Sequence, residues 1–328
     1  MPDPDRRRAA LSIGAEADGA PLLRFLSDRF RYLDRDGWAA AIAAGRLRIN
    51  GRTAGPADRL RSGDRLVFEM DDLPEPPVRT DYRVLYRDAH LLAVEKPGNL
   101  PCHPGGRYFR HTLWHLLRRN EGIEKPRFLH RLDRETSGVV LVARTVEAAR
   151  AGRALFLAGG VQKTYQVLVE GRFPPGTVLG DGWIMADGDS PVRKRRRFIL
   201  RRDASAPPPA EGRQECRTRF RRMTLSGSFS LLAVLPETGR LHQIRATLHA
   251  LGFPVVGDKL YGIDETLFLR FISDGLTSGD RTRLRLDRQA LHSARLVMRH
   301  PITGHPLSIR SPLPPEMAHL LGAAGVLS

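Results

Sequence analysis

The run His130-Arg131-Leu132-Asp133-Arg134-Glu135-Thr136-Ser137-Gly138 sets one carboxylate, Asp133, between two arginines. Nearby positive charge favours the ionised form, so Asp133 stays charged even where it is partly buried. An ionised carboxylate can attack an electrophilic carbon or take a proton from one. The apolar Val139-Val140-Leu141-Val142-Ala143 follows at once. It is short, β-branched and bounded by turn residues, and it reads as a buried strand. Asp133 then lies on a loop entering a core strand, where a rigid scaffold can aim a side chain at a ligand. Aspartate among arginines also suits a surface salt-bridge network, and this segment alone leaves both readings open.

Other segments must hold that loop. From Pro21, Leu22, Leu23, Leu26 and Phe30 recur at helical spacing. A second helix is predicted from Trp38 to about Ala44, after the polar turn Asp34-Arg35-Asp36-Gly37. Residues 46–52 alternate into Asn50-Gly51, a tight-hairpin signal, and residues 64–69 supply another strand. Residues 1–18 read as a flexible tail, and the Pro-rich stretch after Asp71 reads as a semi-rigid linker. The expected division is tail 1–18, small domain 19–71, linker 72–80 and large domain 81–322.

In the large domain, residues 84–86 and 91–95 read as strands. Leu113, Leu116 and Leu117 mark a helix, and Thr145 caps another over 146–156, stopped at Gly159-Gly160. Residues 162–170 alternate, with Tyr165, Val167 and Val169 on one face. Residues 241–251 read as a helix that buries Leu241, Ile244, Leu248 and Leu251. His242, Arg245 and His249 form an adjacent stripe. The expected fold class is α+β: a strand-rich, mostly antiparallel mixed domain with flanking helices, preceded by a small α/β module.

Composition narrows the partner. A net charge of +17 implies a polyanion, with nucleic acid favoured over a membrane surface. Arginine dominates, since five of the 53 basic residues are Lys, but that bias does not explain the excess of basic over acidic residues. The charge concentrates between Arg193 and Arg222, with 12 basic against three acidic residues, and Ala206-Pro207-Pro208-Pro209 interrupts it. This stretch reads as partly a flexible basic arm that tracks a phosphate backbone, with Arg195 and Arg196 as candidate contacts. A nuclear-targeting tract and a merely solvated insertion are the alternatives. Cys102 and Cys216 are too few for a disulfide framework, no zinc-ligand spacing occurs, and no stretch approaches a membrane span. The expectation is a soluble, cytoplasmic, monomeric protein that contacts no membrane.

The segment around Asp133 resembles the catalytic motif of the RluA-type RNA pseudouridine synthases, His-Arg-Leu-Asp followed closely by Thr-Ser-Gly. Further blocks are similar in the same order: Val84-Leu85-Tyr86-Arg87-Asp88, Leu91-Leu92-Ala93-Val94-Glu95-Lys96-Pro97-Gly98 and Leu100-Pro101-Cys102-His103-Pro104 upstream. Downstream come Lys163-Thr164-Tyr165, Gly239-Arg240-Leu241-His242-Gln243-Ile244-Arg245, Gly257-Asp258-Lys259-Leu260-Tyr261-Gly262 and Arg288-Gln289-Ala290-Leu291-His292. They span roughly residues 83–315. Arg144, where the family usually has Lys, and Leu241, where Thr is common, are modest departures.

The resemblance implies isomerisation of uridine to pseudouridine, a reaction without net redox change that needs no cofactor and no metal. It implies Asp133 as the carboxylate at the sugar, attacking C1′ or abstracting a ribose proton. Tyr165 would lie against the base, Arg245 would pair with Asp133, and Arg131 would enter the RNA stack as the uridine flips out. His130 is expected to be a structural hydrogen-bonder. Two helices and the hairpin resemble the alpha-L (S4-like) RNA-binding module, so Arg24, Arg31, Arg46 and Arg48 are candidate RNA contacts. With 13 Arg against 11 acidic residues in 1–71, affinity there depends on placement rather than bulk charge. Large-subunit ribosomal RNA is the expected substrate. Transfer RNA, a non-catalytic RNA-binding or ribosome-assembly role, and a glycosidase using Asp133 and Glu135 are the competing readings.

Overall fold

Asn50 and Gly51 both adopt positive φ (50° and 86°), the mirror-image turn that the twist of a two-residue hairpin demands. That hairpin belongs to the first of two units in the computed structural model, which describes residues 7–30, 33–70, 74–201, 212–273 and 275–322. The first unit comprises residues 1–77 with 103–111, and the second residues 78–102 with 112–328.

The first unit contains β1 (Arg8–Ser12), α1 (Leu22–Arg29), α2 (Arg35–Ala43), β2 (Leu47–Ile49), β3 (Arg52–Thr53) and β4 (Arg65–Glu69). Its antiparallel sheet runs β1-β4-β2-β3. Asp34 caps α2 by accepting from the Gly37 amide at 2.8 Å. Trp38 is fully buried, packs on Phe68 at 4.9 Å and donates its indole N–H to the Phe30 carbonyl.

Two expectations are corrected here. Residues 8–18 are not a loose tail: Arg8–Ser12 pairs with the outer edge of β4, and Ile13 and Ala17 are buried in the core. The open edge of β4 and the apolar Ile13 and Ala17 supply the partners that composition hid; residues 1–6 lie outside the described residues. Nor do residues 74–77 act as a simple linker. The Glu75 carboxylate accepts from the amides of Phe109, Arg110 and His111 at 2.7–2.9 Å, tying this segment to residues 103–111. The large domain is therefore not the uninterrupted span 81–322.

The second unit runs β5 (Arg83–Arg87), β6 (Leu91–Lys96), α3 (Leu113–Glu121), β7 (Arg127–Phe128), β8 (Ser137–Ala143), α4 (Val146–Leu157), β9 (Val161–Glu170) and β10 (Thr177–Ala186). It continues with β11 (Arg196–Leu200), β12 (Gln214–Ser226), β13 (Phe229–Pro236), α5 (Gln243–Ala250), α6 (Thr266–Ile272), α7 (Ser278–Leu284), β14 (Leu291–Arg299), β15 (Pro306–Arg310) and α8 (Pro315–Leu320). One mixed sheet follows the order β11-β10-β12-β13-β9-β14-β8-β6-β5, with β15 on β14 and β7 on β8. The α+β, mostly antiparallel class read from the sequence holds. Much of the basic arm is strand rather than loop, since β11 and β12 occupy it. Arg217, Arg219 and Arg221 alternate on the exposed side of β12, while residues 202–211 lie outside the described residues.

Strand β8 is buried along its whole length because both faces are covered. Val139, Leu141 and Ala143 pack with Ala148 and Ala149 of α4, and Val140 and Val142 pack with Leu113 and Leu117 of α3. It pairs with β14 in parallel, the only such pairing among the described strands, at His292↔Ser137 and Ser293↔Gly138. Gly138 has φ +109°, and a Cβ there would sit 2.3 Å from the Ser293 carbonyl oxygen. The Thr-Ser-Gly sequence thus ends in the one residue that this close crossing accepts. No helix among the described residues is long and apolar enough to cross a membrane.

Candidate active site

The Asp133 loop is held from below by a buried lysine. Lys96, at the end of β6, is 0% exposed and donates to the carbonyls of Pro97 and Leu100 at 2.9 Å and of Arg134 at 3.1 Å. Three carbonyls offset the cost of burying an ammonium group, and burial lowers its pKa to about 8. Leu132 is buried, and its backbone meets the Cys102 thiol. On the far side, Gln289 donates to the Thr136 hydroxyl at 2.6 Å and also hydrogen-bonds Asp133. Backbone and carboxylate are thereby fixed from two directions.

Arg245 joins this loop to α5. Its side chain is 8% exposed and donates through Nη1 to Asp133 Oδ2 at 2.8 Å. Its Nε and Nη2 form a two-pronged pair with Asp258 at 2.6 and 2.9 Å. Asp258 is fully buried and also accepts from the amides of Leu260 and Tyr261. One guanidinium thus bridges two carboxylates, a task suited to its planar set of donors. Sequence reasoning paired Arg245 with Asp133, and that contact exists, but the fork closes on Asp258.

Charge follows geometry. Burial opposes ionisation of Asp133, yet His242, Arg245 and the hydrogen bonds from Arg245 and Gln289 outweigh it and hold the carboxyl at about 2. Burial also lowers His242 to about 4 despite its neighbour Asp133. Near neutral pH His242 is therefore uncharged, and Arg245 is the lasting cationic partner. With 29% of its side chain exposed, Asp133 remains open to a ligand.

Tyr165 lies half-buried on β9, packed against two of the apolar clusters. Burial, joined by the Asp133 charge, pushes its hydroxyl up to about 12, so it remains a phenol that can stack, donate or accept. His130 is structural: its Nε2 accepts from the Leu141 amide at 3.1 Å, and its ring stacks on Phe156. His242 precedes α5 with φ 57°, left-handed backbone that costs a residue other than glycine about 1–3 kcal/mol. That late helix start leaves Leu241 42% exposed, correcting its place in the buried stripe.

Asp133, Tyr165 and Arg245 all fall in the second unit, with direct contact between the first and last. Arg131 is exposed beside Asp133. Arg195 is 17% exposed and bound to Asp187 and Glu265 at 3.0 and 3.1 Å, so it braces the fold rather than presenting a free charge. The Arg196 amide donates to the Tyr261 hydroxyl at 2.7 Å. In the first unit, Arg24 is 80% exposed and 3.6 Å from Asp28, Arg48 is 44% exposed and 3.8 Å from Glu69, and Arg46 is partly buried. Arg31 lies outside the described residues. Lys96, His242, Asp258 and Gln289 were in the quoted blocks without a role. The signal for Asp258 was an acidic residue in an otherwise buried block, Gly257-Asp258-Lys259-Leu260-Tyr261.

The family model described as RNA pseudouridylate synthase matches residues 90–250, which contain Asp133, Tyr165 and Arg245. The chain is 32% identical to the ribosomal large subunit pseudouridine synthase D of Xanthomonas campestris pv. campestris over 306 residues, 91% of this chain and 87% of that protein. It is 31% identical to the mitochondrial tRNA pseudouridine(32) synthase of Saccharomyces cerevisiae over 245 residues, 74% of this chain and 50% of that protein. The solved structure of human RNA pseudouridylate synthase domain containing 1 superposes with a TM-score of 0.55 at 25% identity, covering 73% of this chain and 86% of that one. Likeness over this much of both chains makes the protein a member of the RluA-type RNA pseudouridine synthase family, isomerases that convert uridine to pseudouridine in RNA.

Proposed function

We propose that the protein isomerises specific uridines of large-subunit ribosomal RNA, with Asp133 as the catalytic carboxylate. One observation supports this substrate class. Similarity to the relative named for the ribosomal large subunit extends over 91% of the chain and so takes in most of the first unit. A second relative named for the ribosomal large subunit, from Pseudomonas aeruginosa, matches over 97% of the chain, whereas the relative named for transfer RNA matches over 74%, the same span as a third ribosomal large subunit relative. In this reading the first unit is an alpha-L-type RNA-binding module whose exposed Arg24 and Arg48 meet phosphates.

The chemistry breaks N1–C1′, turns the base and joins C5 to C1′; the C5 proton leaves to solvent and N1 takes up a proton, so the product is an isomer of the substrate. Asp133 is anionic at neutral pH and works at the sugar. Tyr165 stacks on the base and offers its hydroxyl to the proton transfers. Exposed Arg131 enters the stack that the flipped uridine leaves, because C1′ and C5 cannot be worked on inside a helix. Water must be kept out while the base is detached.

The test is to map pseudouridines in ribosomal and transfer RNA from a strain lacking the protein, then after return of the wild type or Asp133→Asn. Loss of defined sites in large-subunit RNA, restored by the wild type and not by Asp133→Asn, is expected. Sites lost from transfer RNA alone would transfer the substrate to that class. Restoration by Asp133→Asn would remove the catalytic role from Asp133.

A further inference from the structure

His242 stands beside Asp133 with its hydrogen-bonding polarity set by the fold. Its Nδ1 lies 2.9 Å from the Tyr261 hydroxyl, and that hydroxyl oxygen already accepts the Arg196 amide at 2.7 Å. Tyr261 is fully buried, and burial pushes its hydroxyl well above the usual range, so it keeps its proton. A backbone amide can only donate. The arrangement that satisfies every group sends the tyrosine proton to Nδ1, making Nδ1 an acceptor and leaving the ring proton on Nε2. The other end of the ring agrees, since Nε2 faces Asp133 Oδ1 at 4.0 Å, where an N–H is preferred to a lone pair. The backbone of His242 is in the left-handed region, and its side chain is 10% exposed, so the ring has little freedom to turn away.

A separation of 4.0 Å is too long for a direct hydrogen bond. It does suit a single hydroxyl oxygen seated between the two atoms at about 2.8 Å from each. Such a hydroxyl accepts from Nε2–H and donates to the carboxylate, using both of its capacities. On a nucleotide whose C1′ is presented to Asp133, the adjacent hydroxyl is the ribose 2′-OH. We propose that His242 and Asp133 together form the seat for the 2′-hydroxyl of the target nucleotide, with His242 as the residue that selects ribose over deoxyribose. This rests on the reading of Asp133 as the carboxylate at the sugar. It gives His242 contact with substrate, where the Gly-Arg-Leu-His-Gln-Ile-Arg block assigned it none.

The experiment uses the full-length protein and the RNA identified by mapping, synthesised with ribose or 2′-deoxyribose at the target uridine. Single-turnover rates are measured for the wild type, His242→Phe and His242→Gln. Loss of one buried hydrogen bond predicts that His242→Phe slows the ribose substrate roughly 10–100-fold while changing the deoxyribose substrate less than about threefold. His242→Gln, whose amide carries a donor to a similar reach, should recover most of the ribose rate. Affinity for product RNA with either sugar at the modified position gives the same comparison without chemistry. Equal ribose preference in wild type and His242→Phe, in rate and in affinity, would overturn the proposal. Full activity of Asp133→Asn is a separate outcome, and it would reject the reading of Asp133 on which the seat depends.

Discussion

Replacing Arg245 with Lys tests the bridge between the two carboxylates. The wild-type guanidinium reaches Asp258 through Nε and Nη2 and Asp133 through Nη1. A single ammonium nitrogen cannot occupy three such separated positions. Asp258 retains the amides of Leu260 and Tyr261 and is buried deeper, so the lysine is expected to stay with it and leave Asp133. Holding Asp133 at about 2 instead of the ordinary 3.8 corresponds to roughly 2 kcal/mol of preference for the anion. His242 and Gln289 share in that preference, but Arg245 is the partner still charged at neutral pH, and its loss is expected to lower kcat/KM roughly 10-fold. The assay is tritium release from RNA labelled at uridine C5, since that hydrogen leaves once C5 joins C1′. The pH profile supplies the sharper readout. In the wild type Asp133 is ionised at all pH above about 4, and the pairing stabilises the fold there, fading as pH falls from 3.8 towards 2. Without Arg245, only His242 and Gln289 oppose burial and the carboxyl pKa rises, so the variant should lose more activity at pH 5 than at pH 8. A variant within threefold of wild type at both pH values, with an unchanged melting curve, would refute the reasoning.

Tyr165→Phe keeps the ring and removes the hydroxyl; RNA affinity should hold within a few-fold while turnover is lost, and full activity would leave Tyr165 as packing alone. Gly138→Ala places a Cβ against the Ser293 carbonyl at positive φ. A cost of about 3–5 kcal/mol is expected, read as a fall in Tm of roughly 6–20 °C, and an unchanged Tm would show that the parallel crossing relaxes easily.

Local patterns carry only local information, and here they carried much of it. The apolar run after Gly138 could only be a buried strand, Asn50-Gly51 only a tight hairpin, and Thr145 only a cap before an amphipathic stretch, because each depends on neighbours within a few residues. The charge state of Asp133 was likewise legible from the arginine-rich run, although its actual partner lies 112 residues away. What the chain order could not disclose was how distant groups divide their bonds. Arg245 closes its fork on Asp258, Lys96 ties the Asp133 loop through three carbonyls, and Gln289 holds Asp133 and Thr136 together. Residues 8–18 looked like a tail because a short edge strand has no signature until β4 is beside it. Likewise Arg195 looked like a phosphate contact until the fold brought Asp187 and Glu265 to it. The sequence determined which groups are ionised, apolar or turn-forming, since those properties belong to residues and their near neighbours. Only tertiary structure decided which donor meets which acceptor, because a hydrogen bond or ion pair depends on positions that the sheet crossing of β8 and β14 and the start of α5 bring together.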